Sequence, residues 1–480
     1  MSRRPPTQCG TLVIGAGPAG LLAAIRAGAT AGGVVVLDQG DDIDGRIRAR
    51  ELGEDEKRTI TSGFGGAGMF SDGKLCLSHR IGSTISHRFP PHEVEARQYA
   101  IDELFRAGED APLHGADDAK AAELAELAAA EDLEYLHYPV RHIGSDQLMR
   151  MTSALRRQVE AVAPVLCGIR CTEVRPSPAA SHRWEVWVTG NGWTEPMPLY
   201  ADNVVLAPGK IGAAWLRALG TTLGLPRKSA QPKLGFRLEG PREFLDLLLK
   251  VATDPKVIWK PGAGAEVRTH CVCFGGDVVP AQYQDLTLVG GHSTSDHGHN
   301  RSNTAVLATA GDAFPLSAEF VRDLVTRMNR ANGGRVMAQT LGDFLAGVPT
   351  TGTVPDAAYG FVPSIPDAVP GNLAALFPQP IVVLLRDYLH RLARLCPQVL
   401  NPRNMLYGPA VERWADRFEV GDDMQAPGHP GLYLVGDGPG LTGGIIGAAD
   451  SGWLAGDAIT ARRSVNAWLP RPRLPRTPAC

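Results

Sequence analysis

A glycine pattern near the start of the chain constrains the fold more than any other feature. Gly15, Gly17 and Gly20 follow a short apolar strand and open a helix of small residues, and the next strand ends at Asp38. Gly15 suits a tight turn, Gly17 lets the backbone approach a ligand, and Gly20 lets the helix pack closely on the strand. The sequence therefore predicts a Rossmann-type βαβ unit whose helix N-terminus faces a pyrophosphate.

The acidic residue that ends the second strand indicates the kind of nucleotide. A carboxylate at this place accepts hydrogen bonds from a ribose 2′-OH and disfavours a 2′-phosphate, so NADP is not expected here. The alternative is a glycine-rich turn without a ligand. The residues that we predict to bind the nucleotide are Gly15, Gly17, Pro18, Ala19, Gly20 and Asp38.

A second glycine-rich turn follows an apolar strand near the other end of the chain. Leu432–Val435 runs into Gly436 and Asp437, and a helix is predicted to start at Ile445, directly after Gly443 and Gly444. FAD proteins of the glutathione-reductase-like type place an acidic residue at such a turn. Two sequence-distant turns therefore favour FAD over NAD. A third turn, at Gly209 after the strand 203–207, resembles the middle motif of such proteins. No second βαβ unit with a GxGxxG turn is predicted, so a separate NAD(P)H domain is not expected.

A longer run of residues resembles a known family. Residues 63–75, GFGGAGMFSDGKL, resemble the GGAGTFSDGKL signature of the largely uncharacterised FAD-dependent dehydrogenases of the glutathione-reductase-like superfamily. Residues 139–146 resemble that family's RHIGTD segment, and residues 436–449 resemble GEGAGYAGGIxSAA, with Asp437 in place of the usual Glu. The resemblance implies bound FAD. Further contacts to the cofactor are expected from Gly65, Gly66, Ser71, Asp72, Gly73 and Lys74, which offer close backbone approach, hydrogen bonds and one positive charge.

Catalytic candidates are fewer. His142, with Arg141 and Asp146, is a candidate for positioning a polar substrate, and a structural hydrogen-bond network is the alternative. His270 shares a strand with Cys271 and Cys273, although strand thiols are more often buried and inert. Arg413 is a candidate for a substrate carboxylate, with a surface ion pair as the alternative. The histidines of one loop, His292, His297 and His299, lack an evident carboxylate-plus-His geometry, so no metal is predicted.

Composition limits the partners. The net charge is −3 and the only basic block is a short Arg-rich tail, so neither a nucleic acid nor a membrane surface is expected as a partner. Eight cysteines without a Cys-x-x-Cys pair predict reduced thiols and a cytoplasmic location. The segment 63–74 has no cysteine pair, which disfavours flavin disulfide-reductase chemistry. The Arg3–Arg4 start is better explained by the strand and helix that follow than by a signal peptide.

We therefore predict an α/β fold with a Rossmann-like FAD-binding domain that is split in sequence and an inserted α+β substrate domain. The predicted segments are 7–90, 146–230 and 402–464 for the FAD-binding domain, 91–145 for a helical insertion, 231–401 for the substrate domain and 465–480 for a disordered tail. The predicted activity is that of a dehydrogenase or oxidase that passes hydride from a small organic substrate to flavin N5, with oxygen or a carrier as the electron acceptor. The alternative is an NAD(P)H-driven flavin monooxygenase or reductase.

Overall fold

The computed structural model describes residues 3–28, 32–52, 61–106, 111–115, 117–144, 147–178, 181–283, 285–293, 298–352 and 361–466.

Strands and helices alternate along these residues. The strands are β1 (Gln8–Ile14), β2 (Val34–Asp38), β3 (Lys74–Cys76), β4 (Leu113–His114), β5 (Glu134–Leu136), β6 (Val140–His142), β7 (Val165–Cys167), β8 (Ile169–Pro176), β9 (Trp184–Gly190), β10 (Met197–Leu206), β11 (Arg227–Lys228), β12 (Lys233–Pro241), β13 (Lys256–Gly262), β14 (Ala265–Cys273), β15 (Asp277–Tyr283), β16 (Leu286–His292), β17 (Arg301–Ala310), β18 (Met337–Thr340), β19 (Val369–Pro370), β20 (Met405–Glu412), β21 (Arg417–Phe418) and β22 (Leu432–Leu434). The helices are α1 (Pro18–Ala27), α2 (Ile43–Glu51), α3 (Pro91–Arg106), α4 (Asp118–Ala130), α5 (Leu148–Glu160), α6 (Ala213–Leu223), α7 (Asp246–Leu249), α8 (Ala318–Ala331), α9 (Leu341–Ala346), α10 (Leu373–Leu376), α11 (Gln379–Leu395) and α12 (Ile445–Asn466).

The first sheet carries the predicted nucleotide-binding unit. Its strand order is β7–β2–β1–β10–β9–β8, and β22 pairs with the carboxyl end of β10. The pairs β7–β2, β2–β1, β1–β10 and β10–β22 are parallel, while β9 pairs antiparallel with both β10 and β8. All five residues of β2 are buried, as expected of a parallel strand that is covered on both faces. The carboxyl ends of β1, β10 and β22 therefore meet at one edge, where ligands of such sheets bind.

Helix α12 returns the end of the chain to its beginning and packs directly on α1. A Cβ atom at Gly452 would lie 1.9 Å from the carbonyl oxygen of Ala19, and one at Gly456 would lie 2.4 Å from the Cβ of Arg26. These glycines let the two helix backbones approach closely. The N-termini of α1 and α12 are thereby brought to the same edge of the sheet.

The second sheet lies in the middle of the chain and has its own apolar core. Its strand order is β19–β18–β20–β12–β17–β14–β13–β5, and its central pairs β20–β12, β12–β17 and β17–β14 are antiparallel. Helix α11 contributes eight buried side chains to this core. Two smaller sheets, β3–β6–β4 and the hairpin β15–β16, flank the sheet.

The mixed α/β fold confirms the predicted fold class, and most predicted elements are present. The apolar and β-branched residues of 168–174 and 184–188 predict a hairpin, and these segments form the antiparallel pair β8–β9. The charges of segment 41–57 predict a loop, and this prediction is wrong for residues 43–51, which form α2. Ile43 and Ile47 lie one helical turn apart and both pack into the core. This spacing indicates a helix, but the many charged residues around it made the segment resemble a loop.

Two predicted segments differ in detail from the structure. The segment 91–145, predicted as helical, contains α3 and α4 but also β4, β5 and β6, and β5 joins the second sheet. Strand β20 lies within the segment 402–464 that was predicted for the FAD-binding domain, yet it pairs in the second sheet. The domain boundaries as a whole stay predictions. Residues 467–480 of the predicted tail lie outside the described residues.

Candidate functional site

The turn between β1 and α1 is held by two of its three glycines. Gly15 has φ +108°, and a Cβ atom there would lie 2.1 Å from the carbonyl oxygen of Ala207 at the end of β10. A Cβ atom at Gly20 would lie 1.9 Å from the carbonyl oxygen of Gly15. Protein packing alone therefore requires glycine at both positions.

Gly17 differs from its two neighbours in the motif. It caps α1 with φ −80° and ψ 179°, a conformation open to any residue, and a Cβ atom would meet only the Cα of Gly66 at 3.8 Å. The fold therefore leaves one side of Gly17 open. Pro18 follows at the first helical position, and the first turn of α1 has no acidic residue, so that its N-terminus keeps its positive character.

The carboxylate of Asp38 is buried and accepts three backbone hydrogen bonds. The N–H of Ala16 donates to Oδ2 at 2.8 Å, while those of Gly40 and Gly63 donate to Oδ1 at 2.8 Å and 2.9 Å. Asp38 thus joins three separate turns. Because Oδ2 accepts only one of these bonds, a second acceptor position remains on that oxygen. The predicted bond to a ribose hydroxyl stays a prediction.

The segment 63–75 lies directly against the first turn. The N–H of Gly65 donates to the carbonyl oxygen of Ala16 at 2.8 Å, and a Cβ atom at Gly66 would lie 3.0 Å from the Cα of Gly17. Behind it, the fully buried guanidinium of Arg46 donates to the carbonyl oxygen of Phe64. Burial lowers the pKa of Arg46 to about 10. Arg46 holds this turn in place and was not singled out from the sequence, since its burial depends on tertiary packing.

The other predicted residues of this segment have mainly structural contacts. Ser71 donates to the carbonyl oxygen of Gly68 at 2.9 Å and accepts from the N–H of Gly73 at 3.2 Å. A Cβ atom at Gly73, whose φ is +70°, would lie 2.9 Å from the Cβ of Ile143. Ser71 and Gly73 therefore shape the loop.

The carboxy-terminal turn meets the other two turns. A Cβ atom at Gly436 would lie 3.0 Å from the Cβ of Ala19, and one at Gly438 would lie 2.9 Å from the carbonyl oxygen of Gly209. Gly209 itself has φ +60°, and no atom lies within 4 Å of where its Cβ would be. The structure therefore brings Ala19, Gly209 and Gly436 together, as the sequence predicted of one cleft.

Asp437 is largely buried in this turn. Thr442 donates its hydroxyl to Oδ1 at 2.8 Å, and the ammonium of Lys210 lies 3.8 Å from Oδ2. Burial raises the pKa of Asp437, while Lys210 and Thr442 act in the opposite direction. The Asp437 carboxylate therefore lies opposite the Lys210 ammonium, and the space between the two groups is partly open.

Gly443 and Gly444 precede the N-terminus of α12 and are open to one side. No atom lies within 4 Å of a Cβ at either glycine, and Gly444 has φ +84°. The N–H of Gly443 donates to the carbonyl oxygen of Gly82 at 3.0 Å, which fixes the turn. Ile445, the first residue of α12, lies close to Gly68, where a Cβ atom would be 3.3 Å from its Cγ1.

A largely apolar cavity borders these turns. It lies between α1, α3, α5 and the first residue of α12, and its lining residues are Pro18, Leu21, Gly65, Gly68, Phe105, Met151, Thr152, Leu155 and Ile445.

A buried charged pair lies where the segment 63–75 meets β14 of the second sheet. Lys74 and Asp72 form an ion pair of 2.8 Å, with 7% and 11% of their side-chain surfaces exposed. Burial opposes both charges, but each charge supports the other, so the pKa of Asp72 is lowered and that of Lys74 is raised. His142 pairs with Lys74 across β6 and β3, and its positive form also lowers the pKa of Asp72. The structure thus brings Asp72, Lys74 and His142 together.

The other catalytic candidates lie apart from this cluster. Arg141 donates to both carboxylate oxygens of Asp102 on α3, at 2.8 Å and 3.0 Å, and strand alternation turns it away from His142. These are the contacts of a structural ion pair. His270 lies 3.8 Å from Glu412, and its surroundings lower its pKa to about 3, mainly by burial. His270 is therefore neutral near pH 7.

Tyr283 at the end of β15 and Trp414 just after β20 bring two aromatic rings to the Rossmann edge. Tyr283 stacks on Trp414 with ring centroids 5.3 Å apart, and its hydroxyl donates to the carbonyl oxygen of Lys210 at 3.4 Å. Since Lys210 also faces Asp437, this aromatic pair lies close to the carboxy-terminal turn. Trp414 was not singled out from the sequence. Its neighbour Arg413 is exposed, with φ +62°.

The loop histidines do not form a metal cluster among the described residues. His299 lies 3.5 Å from Asp277, His292 ends β16, and His297 and Asp146 lie outside the described residues. Another group has metal-like spacing, with atoms of Asp72, Cys271 and Cys273 within 4.8 Å of one another. Within the described parts of the chain, no helix combines the length and the apolar character that crossing a bilayer requires.

Comparison with known proteins adds a family description. Residues 234–412, from β12 to β20, match the model of the family "FAD-dependent protein, C-terminal domain-like". An uncharacterised protein of Clostridium beijerinckii is 24% identical over 476 residues, which cover 92% of this chain and 79% of that protein.

Several solved flavoenzymes align at low similarity. Glycine oxidase from Geobacillus kaustophilus has a TM-score of 0.38 at 13% identity and covers 95% of each chain. The p-nitrophenol 4-monooxygenase PnpA from Pseudomonas putida has a TM-score of 0.40 at 12% identity, over 96% of this chain and 82% of its own. A flavoprotein/dehydrogenase from Cytophaga hutchinsonii has a TM-score of 0.40 at 9% identity, over 95% and 79%. At such scores we take nothing about chemistry from them.

The fold, the three converging glycine turns and the family description together define an FAD-dependent protein. The predicted cofactor is therefore confirmed at the level of the class. The residues that contact it, and the reaction, are matters of proposal.

Proposed function

We propose that this protein binds FAD along the three glycine turns and oxidises a small organic molecule as a dehydrogenase or oxidase. The observation that carries the proposal is the open side of four glycines at one edge of the first sheet. No atom lies within 4 Å of a Cβ at Gly209, Gly443 or Gly444, and Gly17 has one ordinary contact. Packing explains the other glycines of these turns, whereas these four suit the close approach of a ligand.

The pyrophosphate end would be bound by backbone groups. Helices α1 and α12 both point their N-termini at this edge, and neither has an acidic residue in its first turn. Helix N-termini attract anions through their free N–H groups and the helix dipole. Gly17, Pro18 and Gly444 would then let the pyrophosphate approach closely, and the backbone N–H groups would balance its negative charge.

The opposite end would meet the reacting part of the substrate. When bound, FAD supplies a hydride acceptor at its N5 atom. Asp437 would lie nearer the middle of the cofactor, by the ribityl chain or the pyrophosphate, while the neighbouring Lys210 ammonium offers a substrate one charge and the Tyr283–Trp414 pair offers an apolar wall. This combination favours a small, partly apolar molecule that carries one polar or charged group.

The alternative is an NAD(P)H-driven flavin monooxygenase or reductase. The chain has GxGxxG spacing only at residues 15–20, 63–68 and 438–443, all in segments assigned to FAD, so none is left for a stably bound nicotinamide. An anaerobic titration separates the two, because substrate alone should bleach the flavin absorbance of a dehydrogenase or oxidase. Bleaching that requires added NADPH would favour the alternative. Admission of oxygen then distinguishes an oxidase, which recovers its colour at once, from a dehydrogenase that needs a carrier.

A glycine substitution tests the cofactor site. Gly17→Val should give folded but colourless protein, because φ −80° and the open space allow a side chain while the added atoms take the place of the ligand. The matched control is Gly290→Ala, whose Cβ would make only ordinary contacts of 3.4–3.9 Å within the β15–β16 hairpin. We expect the control to keep its flavin. Normal flavin content in Gly17→Val would contradict the proposed site.

We further propose a cytoplasmic location, membership of the family whose signature residues 63–75 resemble, and no nucleic-acid or membrane partner. All seven cysteines that the structure describes are free, which suits a reducing compartment.

A further inference from the structure

The end of β14 departs from regular strand geometry at a cysteine. The pairing register with β17 shifts between His270 and Cys273, and Cys271 has φ +50°. A non-glycine residue in the left-handed region is strained and is retained where its surroundings enforce it. The result of this bulge is that the sulfur atoms of Cys271 and Cys273 and a carboxylate oxygen of Asp72 lie within 4.8 Å of one another.

Two cations face this thiol pair. Lys74 donates to the carbonyl oxygen of Val272, between the two cysteines. Arg237 on β12 donates to the carbonyl oxygen of Cys271 at 2.6 Å and lies 3.4 Å from the Sγ of Cys273. Positive charge next to a thiol stabilises the thiolate, which is the nucleophilic form.

The two thiols are not equivalent. Cys273 is fully buried, whereas Cys271 keeps part of its surface exposed. The Cys273 thiol, Lys74 and Arg237 lower the pKa of Cys271, while burial and the Asp72 carboxylate oppose them. The contact with Cys271, together with burial, raises the pKa of Cys273. The geometry thus provides a partly exposed thiol at Cys271 with a second, buried thiol behind it.

A metal is the other occupant that this spacing allows. Two thiolates and a carboxylate are ligands of Zn²⁺. However, Asp72 is already paired with Lys74 at 2.8 Å, and Arg237 lies against Cys273. Two buried cations beside the sulfur atoms oppose a divalent metal and favour a thiolate, so the charges point to sulfur chemistry.

We propose that Cys271 and Cys273 form a thiol–disulfide exchange site whose reaction partner is a small-molecule disulfide. The Cys271 thiolate attacks one sulfur of the disulfide RS–SR, which forms a mixed disulfide and releases RS⁻. The Cys273 thiol then loses its proton to solvent and attacks the Cys271 sulfur, which closes the Cys271–Cys273 disulfide and releases a second RS⁻. Two electrons pass from the protein thiols to RS–SR, and the reverse reaction restores the thiols.

The site requires no flavin, and the test therefore uses the full chain with and without FAD. The protein is equilibrated in mixtures of reduced and oxidised glutathione, quenched with acid, alkylated and digested with trypsin. Residues 269–301 contain no Lys or Arg before Arg301, so one peptide carries both cysteines and no other. We expect this peptide to escape alkylation and to be two hydrogens lighter in the oxidising mixtures.

Three variants identify the roles. Cys273→Ser should stop at the mixed disulfide, with glutathione on Cys271. Cys271→Ser should slow adduct formation on this peptide at least about tenfold, because the buried Cys273 lacks access and thiolate character. Cys76→Ser is the matched control, since Cys76 is also half-buried but burial raises its pKa to about 12, and it should leave the exchange unchanged.

Two results would overturn the proposal. One is a wild-type peptide that stays a dithiol in every mixture while the folded protein is intact, which needs no variant to be interpreted. The other is a stoichiometric metal in the purified protein that is lost in Cys271→Ser, which would make the cluster a metal site.

Discussion

Substitution of Asp38 by Asn tests whether this carboxylate builds the cleft or only binds the ligand. In the structure Oδ1 accepts from the N–H groups of Gly40 and Gly63, and Oδ2 accepts from that of Ala16. The Asn side chain has the same shape, but its amide nitrogen is a donor. If its oxygen keeps the two bonds of Oδ1, the amide nitrogen faces the N–H of Ala16 and leaves that group unsatisfied.

The magnitude follows from that single group. A buried donor without a partner costs about 1–3 kcal/mol, and about 2 kcal/mol corresponds to about 30-fold faster opening of the local structure. We therefore expect hydrogen exchange of the apoprotein, followed by mass spectrometry, to speed up by about that factor in peptides that contain Ala16. The measurement is local, so it does not require the whole chain to unfold in one step.

An exposed aspartate, Asp422, serves as the control for Asp38. Asp422 has 71% of its side chain exposed and lies 3.6 Å from Arg88, so Asp422→Asn should leave the exchange of the same peptides unchanged. Unchanged exchange in Asp38→Asn, together with weaker FAD binding, would refute the structural role and assign Asp38 to the ligand alone.

Three further perturbations address packing, charge and pH. Gly452→Ala should lower the stability of the fold by about 1–3 kcal/mol, because its Cβ would lie 1.9 Å from a carbonyl oxygen of α1. Gly443→Ala is the control, since its Cβ would meet no atom within 4 Å. Equal thermal midpoints for the two variants would contradict this expectation. Lys74→Met should lower the free energy of unfolding in urea by about 3–5 kcal/mol, because it leaves the Asp72 carboxylate buried without its cation. Adding Asp72→Asn should recover part of the loss. A Lys74→Met variant as stable as wild type would refute the pairing. Because the folded pKa of His270 is lowered to about 3, its contribution to stability is complete above the unfolded pKa of 6.5 and falls as the pH decreases toward 3. In acid unfolding, His270→Gln should therefore flatten the decline in stability between about pH 6.5 and 5. An unchanged slope would argue against a neutral His270.

The sequence determined the elements whose signals are local. The apolar strand, the glycines at fixed spacing and the small-residue helix predicted β1, α1 and β2, because a turn that requires φ +108° at Gly15 and a close contact at Gly20 admits little else. Glycine-rich turns likewise marked the cleft at Gly209 and Gly444. In the same way, a buried strand pattern and a helical pattern suffice to predict β22 and α12.

Tertiary structure decided what depends on residues far apart in the chain. The segment 63–74 has no cysteine pair of its own, but the fold brings Cys271 to within 3.7 Å of Asp72 in that segment, which spacing along the chain does not show. The burial of Arg46 and the three bonds of Asp38 were hidden for the same reason. Spacing along the chain reports on neighbours within a few residues, whereas ion pairs, buried donors and thiol pairs are set by which sheets pack together.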